Sequence, residues 1–397
     1  MSKTALVLSP WPSLWSMKAG AGTPMAVDLF ETLLDDVFEI DVVVPEAPAG
    51  HDAFPDDRRI HVHRIGTSRI LPGRLLGSAV TTWRFTRRSL AIARRRRPAV
   101  VYGLSALAIP AAMLTSLALG RPSIGVLYGT FFYPTLGHPL QMLRRHEELI
   151  AFKLPVDRLV ILNDGTRGDE VAERLRVPAS RVRFWMHGVD VEECSTARAG
   201  ESIRDHLGLP ADSRLVVSTS RLVGWKRVED VVSAFGRVVP AHPDTILVIS
   251  GSGPEESKLK RLASRVLPKE NIAFVGALSR EVNLRLIAQA DVFCSFSDFS
   301  NVGYALLEAL AAGVPVVATN TGATATMVTD GANALLVAPR DTTAASQAIA
   351  RLLDDAEESK HLADNARERA RKEFLRPHER ARLELDLLRE LGVPVST

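Results

Sequence analysis

An α/β fold of two Rossmann-like halves, each built on a parallel sheet, is what the sequence predicts. Three observations carry that expectation. Strand-like apolar runs alternate with helix-length segments along most of the chain. A polar stretch from Glu192 to Gly200 separates two such series. The 397 residues, 46% of them apolar, suffice for two domains with their own cores.

The first series reads TALVLS, EIDVVVPE, RIHVHRIG, AVVYG, SIGVLYG, DRLVILN and RVRFWMHG. Residues 99–120 are 22 uncharged positions between Arg97-Pro98 and Arg121-Pro122, the length of a membrane-spanning helix. Gly103, Ser105 and Pro110 instead divide them into a strand and a later helix, with Pro110 tolerated in a first turn. The second series reads RLVVSTS, TILVISG, NIAFVG, DVFCSFS, PVVATN and ALLVA. The remainder is charged and helical in period, broken at Pro377. The expected domains are 1–195 and 196–375, with a final segment, 376–397, crossing back to the first.

Composition excludes several classes. A net charge of +3 without an aromatic-rich basic face argues against nucleic acid. Cys194 and Cys294 lie far apart without ligand spacing, so neither a disulfide framework nor a zinc site is indicated. The N-terminal apolar run is too short for a secretory signal, and a reduced cytoplasm is the expected compartment.

In open α/β sheets ligands bind outside the carboxyl ends of strands, so the loops after strands are the candidate site. After RLVVSTS, Arg221 and Lys226 place two cations five residues apart, either gripping a diphosphate or pairing with Glu229 or Asp230 in solvent. After TILVISG, Gly251 opens a tight turn. Ser279 reads as an N-cap. After DVFCSFS, the turn 298–301 leads into an Ala/Leu helix that starts at Gly303, ends at Gly313 and carries one carboxylate, Glu308. Free N–H groups at such a helix start favour an anion. Glu308 sits either on a wet face or in a cleft, where burial demands a hydrogen-bonding partner. After the first strand, Gly20 and Gly22 allow backbone to approach a phosphate.

The stretches SRLVGWKRVEDVVSAF, VISGSGPEESKL, IAFVGALSREVNLRLIAQADVFCSFS and VGYALLEALAAGVPVVATNTGATATMVTDGANALLV occur in one order. Together they resemble the retaining GT-B glycosyltransferases of family four over nearly all of 214–355. The resemblance implies two Rossmann-like domains facing across a cleft and transfer of a hexosyl sugar from a nucleoside-diphosphate sugar, UDP- or GDP-type, with no resident cofactor and no metal. No Asp-x-Asp triplet occurs in the chain, against the metal-bound diphosphate site of the other large glycosyltransferase fold. Arg221 and Lys226 would neutralise the leaving diphosphate, Glu308 would hold the ribose hydroxyls, and Gly251, Val275, Gly276 and Leu278 would line the base pocket. Ser300, Asn301, Val302, Gly303 and Tyr304 would meet sugar and phosphate.

Two positions depart from the family pattern. Ser300 stands where the family carries a second Glu, and Tyr128 stands where many members carry a catalytic His. Tyr128 is the candidate replacement. Thr130, Asp164 and Thr166 are candidates for a carbohydrate, lipid-linked or small-molecule acceptor, with structural capping an equal explanation of Asp164 and Thr166. The basic stretch Arg84 to Arg97, with Trp83 and Phe85, reads either as a peripheral membrane contact or as a solvated helix face. Another GT-B enzyme, a phosphorylase or sugar-nucleotide epimerase, and an inactive nucleotide-sugar-binding subunit are the alternative functions.

Overall fold

The structure, a computed structural model, describes residues 3–11, 24–36, 38–46, 57–66, 75–299 and 302–396, and at 24–28, 75 and 76 the backbone alone. Each expected run contains a strand. The first unit holds β1 (Lys3–Leu8), β2 (Phe38–Pro45), β3 (Ile60–Ile65), β4 (Val100–Leu104), β5 (Ser123–Leu127), β6 (Arg158–Leu162) and β7 (Val182–Trp185). The second holds β8 (Arg214–Thr219), β9 (Thr245–Ser250), β10 (Ile272–Gly276), β11 (Val292–Ser295), β12 (Val316–Thr319) and β13 (Leu335–Val337).

Both sheets are parallel throughout, in the orders β3-β2-β1-β4-β5-β6-β7 and β10-β9-β8-β11-β12-β13. Helices cover both faces of such a sheet, which is why central strands such as β4 and β5 are buried at every position and need no polar alternation. Residues 99–120 resolve as β4 and the helix Ile109–Leu119, with Pro110 in its first turn and Gly120 closing it at φ 61°. No described helix is long and apolar enough to cross a membrane.

The units divide at Met186/His187, ahead of the expected boundary at 195, because the helix Val191–Thr196 packs on the helix Tyr304–Ala312 of the second unit. Residues 377–396 group with the first unit. Within it, Leu387 and Leu388 of the helix Pro377–Glu390 join a core with Phe30, Phe38 and Tyr102. The second core gathers Val231, Phe235, Leu247, Ile249 and Ile349 beneath its own sheet.

Candidate functional site

In each sheet the direction of strand addition reverses once, between β1 and β4 and between β8 and β11. At such a point neighbouring loops part to opposite faces and leave a recess at the carboxyl edge. In the second unit that recess exists. It is lined by Ser218 and Thr219 at the end of β8 and Lys226 beyond it, by Ser295 and Phe296 at the end of β11, and by Gly303 at the start of the helix Tyr304–Ala312. Gly303 caps this helix without a side chain, so the first N–H groups of a nine-residue helix stand at the recess edge.

Lys226 lines the recess, and its Nζ lies 4.6 Å from the Trp225 ring centre. Arg221 is exposed, its guanidinium 5.8 Å from the same ring. Trp225 thus holds both cations around one aromatic body. Pairing of these cations with Glu229 and Asp230 is not what the fold does: Arg227, in the left-handed region at φ 46°, binds both carboxylates, Asp230 through Nε at 2.8 Å and Glu229 through Nη1 at 2.9 Å.

Glu308 is 7% exposed in the middle of its helix. No described residue donates a hydrogen bond to it. Arg280, whose charge acts on it, donates to both oxygens of Glu193, at 2.7 Å for Oε2. Burial pushes the Glu308 carboxyl up to about 7, with Arg280 opposing and Glu193 reinforcing the rise. A carboxyl withdrawn from water with no donor among the described residues costs free energy that a ligand bringing paired hydroxyls would recover.

The remaining second-unit candidates are placed as follows. Gly251 has φ 127°, and a Cβ there would stand 1.9 Å from the Ser220 carbonyl oxygen. Its glycine is therefore required by close packing of the β8 and β9 loops, a structural reason distinct from ligand approach. Its N–H donates to the Gly276 carbonyl at 2.7 Å. Val275 and Gly276 at the end of β10 and Leu278 just beyond it are half-buried, ahead of the Ser279 N-cap, whose Oγ accepts from the Val282 N–H. Val302 is buried, and Tyr304 stacks on His187 at 4.8 Å between ring centres. Ser300, Asn301, Gly20 and Gly22 lie outside the described residues.

In the first unit, Tyr128 follows β5 and meets Trp11, which follows β1, edge to face at 5.3 Å. Thr130, Asp164 and Thr166 are brought together, as a binding cluster requires. Their hydrogen bonds, however, are those of turns: Thr166 donates from N and Oγ1 to Asp164 Oδ1 at 3.0 and 2.5 Å, and the Thr130 N–H donates to Thr166 Oγ1 at 2.8 Å. Gly129 at φ 82° fits because a Cβ would overlap the Asp164 carboxylate. Capping accounts for Thr166 and for one Asp164 oxygen.

Three participants escaped the sequence reading. Glu148, partly buried, accepts from the Thr130 hydroxyl and from the Phe131 N–H at 3.0 Å, and burial raises its carboxyl pKa. His187 carries the stack on Tyr304, and Glu193 captures Arg280. All three depend on contacts across the chain, and periodicity held no signal of them.

Comparison with known proteins accords with this geometry. The family described as Glycosyltransferase Family 4 matches residues 24–193, and that described as Glycosyl transferases group 1 matches residues 200–369. A GDP-mannose-dependent monoacylated alpha-(1-6)-phosphatidylinositol monomannoside mannosyltransferase of Corynebacterium glutamicum is 34% identical over 42% of this chain and 46% of that protein. An alpha-D-kanosaminyltransferase of Streptomyces kanamyceticus is 26% identical over 52% and 54%. The chain spans about half the length of the curated relatives it matches. Among solved structures, Anabaena HepE in complex with UDP-glucose superposes with a TM-score of 0.75 at 17% identity over 98% of this chain and 99% of that one. Sucrose-phosphate synthase of Thermosynechococcus elongatus gives 0.76 at 19% identity over the same shares. With two family matches in succession along its length and a GT-B fold beneath them, the chain belongs to the group 1, family 4 glycosyltransferases.

Proposed function

We propose that the protein transfers a hexosyl sugar from a nucleoside-diphosphate sugar, UDP- or GDP-type, to an acceptor hydroxyl, with retention of anomeric configuration and without a metal. The observation that carries this reading is Glu308, a buried carboxyl with no described donor, one helix turn beyond the recess at the sheet's reversal point. Two neighbouring ribose hydroxyls would satisfy both of its oxygens. Similarity to proteins described as GDP-mannose-dependent or complexed with UDP-glucose supports the donor class.

Breaking a glycosyl–diphosphate bond builds negative charge on the leaving group and oxocarbenium character on the sugar. Lys226 at the recess, Arg221 on Trp225, and the N–H groups at the helix start are fixed positive ends for that charge. The acceptor hydroxyl then attacks from the face the diphosphate leaves, and a diphosphate oxygen takes its proton. Tyr128 is the proposed first-unit contact to the sugar, through a phenolic hydroxyl able to donate.

The test is calorimetric titration of UDP, GDP and their hexose conjugates into the native protein and Glu308→Gln, followed by an assay of donor-dependent release of nucleoside diphosphate. An amide accepts fewer hydrogen bonds than a carboxylate, so Glu308→Gln is expected to weaken nucleotide and nucleotide sugar alike. Unchanged nucleotide affinity in that variant would leave the reading without its support.

A further inference from the structure

A strongly basic surface outside the second-unit recess lies in the first unit, on the helix Leu75–Arg96. Its 22 residues contain six arginines and no acidic residue. Spacing sorts them. Thr81, Phe85, Ser89 and Ile92 face inward, and Val80, Trp83, Arg87, Arg88, Arg94 and Arg95 form an outward stripe. The expectation that Phe85 shares this surface is overturned, because it is fully buried against Leu6, Leu8 and Ile92. Arg96 also leaves the patch, paired with Glu39 and with Asp41, the latter at 2.9 Å.

What remains combines two chemistries. Trp83 is 58% exposed, with the Arg87 guanidinium 5.5 Å from its ring centre. A groove runs between this stripe and the end of β3, lined by Arg64, Gly66, Arg84, Arg87 and Arg88, with Glu46 the one carboxylate among the described lining residues. Arg84 donates to the Gly66 carbonyl at 3.0 Å, which fixes one wall. At the other end of the helix, Ser78 donates to Glu147 at 2.5 Å and so ties in the neighbouring helices Pro139–Arg144 and His146–Lys153. There Leu140 and Leu143 are 79% and 59% exposed beside Arg144 and Arg145.

Guanidinium groups beside an exposed indole, with two exposed leucines next to Arg144 and Arg145 on a neighbouring helix, match the boundary between phosphate headgroups and acyl chains, where one end of a side chain is wet and the other apolar. A nucleic acid would satisfy the arginines and leave the leucines in water. We propose that this face seats the protein on an anionic phospholipid bilayer, with a lipid phosphate in the arginine groove and Trp83 at the interface. The proposal goes beyond sugar transfer and stands or falls without it.

Cosedimentation of the full chain with vesicles of phosphatidylcholine, alone or mixed with phosphatidylglycerol, tests it at low and high salt. Binding is expected only to the anionic vesicles and to weaken as salt screens the charges. Arg87→Ala with Arg88→Ala is expected to lower the partition coefficient roughly 30-fold, about fivefold for each arginine. Trp83→Ala should also weaken it. All three side chains are exposed, so unchanged melting temperatures will show that the variants fold. Absence of binding to anionic vesicles at low salt, or equal binding to neutral ones, overturns the proposal. So does displacement by inorganic phosphate at the same total phosphate, which marks a soluble-phosphate site, or equal competition by duplex DNA, which marks a general polyanion surface.

Discussion

Tyr102, fully buried on β4, donates its hydroxyl to Glu384 Oε1 at 2.7 Å, joining the middle of the first sheet to a helix 282 positions further along the chain. Glu384 is itself buried and accepts from Arg380 at 3.3 Å, and the Arg380 guanidinium stands 4.2 Å from the Trp185 ring centre. Burial raises the Tyr102 pKa well above its usual value, with the Glu384 charge adding to the rise, so the phenol stays a donor. Glu384→Ala leaves a buried hydroxyl and a guanidinium without their acceptor and is expected to cost about 2–4 kcal/mol. Tyr102→Phe leaves the carboxylate still bound to Arg380 and should cost about 1 kcal/mol. Thermal melts of the full chain compare them, and equal losses would remove the carboxylate from the account.

Glu308 links stability to pH. The unfolded chain releases this proton near the ordinary 4.5, and the folded protein holds it to about 7. The folded state therefore binds the extra proton between those values, and stability falls as pH rises through them. Above pH 7 the full cost of the buried charge is roughly 3 kcal/mol. Glu308→Gln should match the native melting temperature below about pH 4 and exceed it at pH 8. A difference independent of pH would contradict the burial of the charge.

Lys226→Ala and Arg221→Ala should each lower kcat/KM by roughly 2 to 4 kcal/mol of transition-state stabilisation, with melting temperatures preserved. The loss should fall on kcat, because the charge they face grows as the bond breaks. Near-native turnover in Arg221→Ala would assign that exposed side chain to packing on Trp225.

Gly251→Ala tests the loop contact. The substitution forces a methyl group toward the Ser220 carbonyl at a φ of 127°, which only glycine adopts readily. A loss above about 2 kcal/mol in urea unfolding is expected, with reduced nucleotide affinity because the displaced Ser220 adjoins Lys226 in the recess. Native stability in this variant would mean that the loops part easily.

Much of this was legible beforehand because it is local. Thirteen apolar runs became thirteen described strands, and Ser279 and Gly313 took the cap and left-handed positions that short hydroxyls and glycine favour. Other expectations turned on neighbours. Asp164 and Thr166 were open between binding and capping, and the fold joins Thr166 to Asp164 Oδ1 and to the Thr130 N–H, turn contacts that account for Thr166 and for one Asp164 oxygen.

By itself, then, the sequence determined the alternation of strands and helices, the two series, and the loops in which polar and glycine residues gather after strands, since each follows from periodicity and backbone preference over a few residues. Tertiary structure alone decided which strand ends stand side by side. The reversal between β8 and β11 sets Lys226 beside the helix start at Gly303, and packing of Val191–Thr196 against Tyr304–Ala312 takes Glu308 out of water while Arg280 is held by Glu193. Arg227 rather than Arg221 or Lys226 captured Glu229 and Asp230 because its left-handed backbone turns it toward them. Burial and pairing of charge depend on groups distant in sequence, and no period of two or 3.6 encodes them.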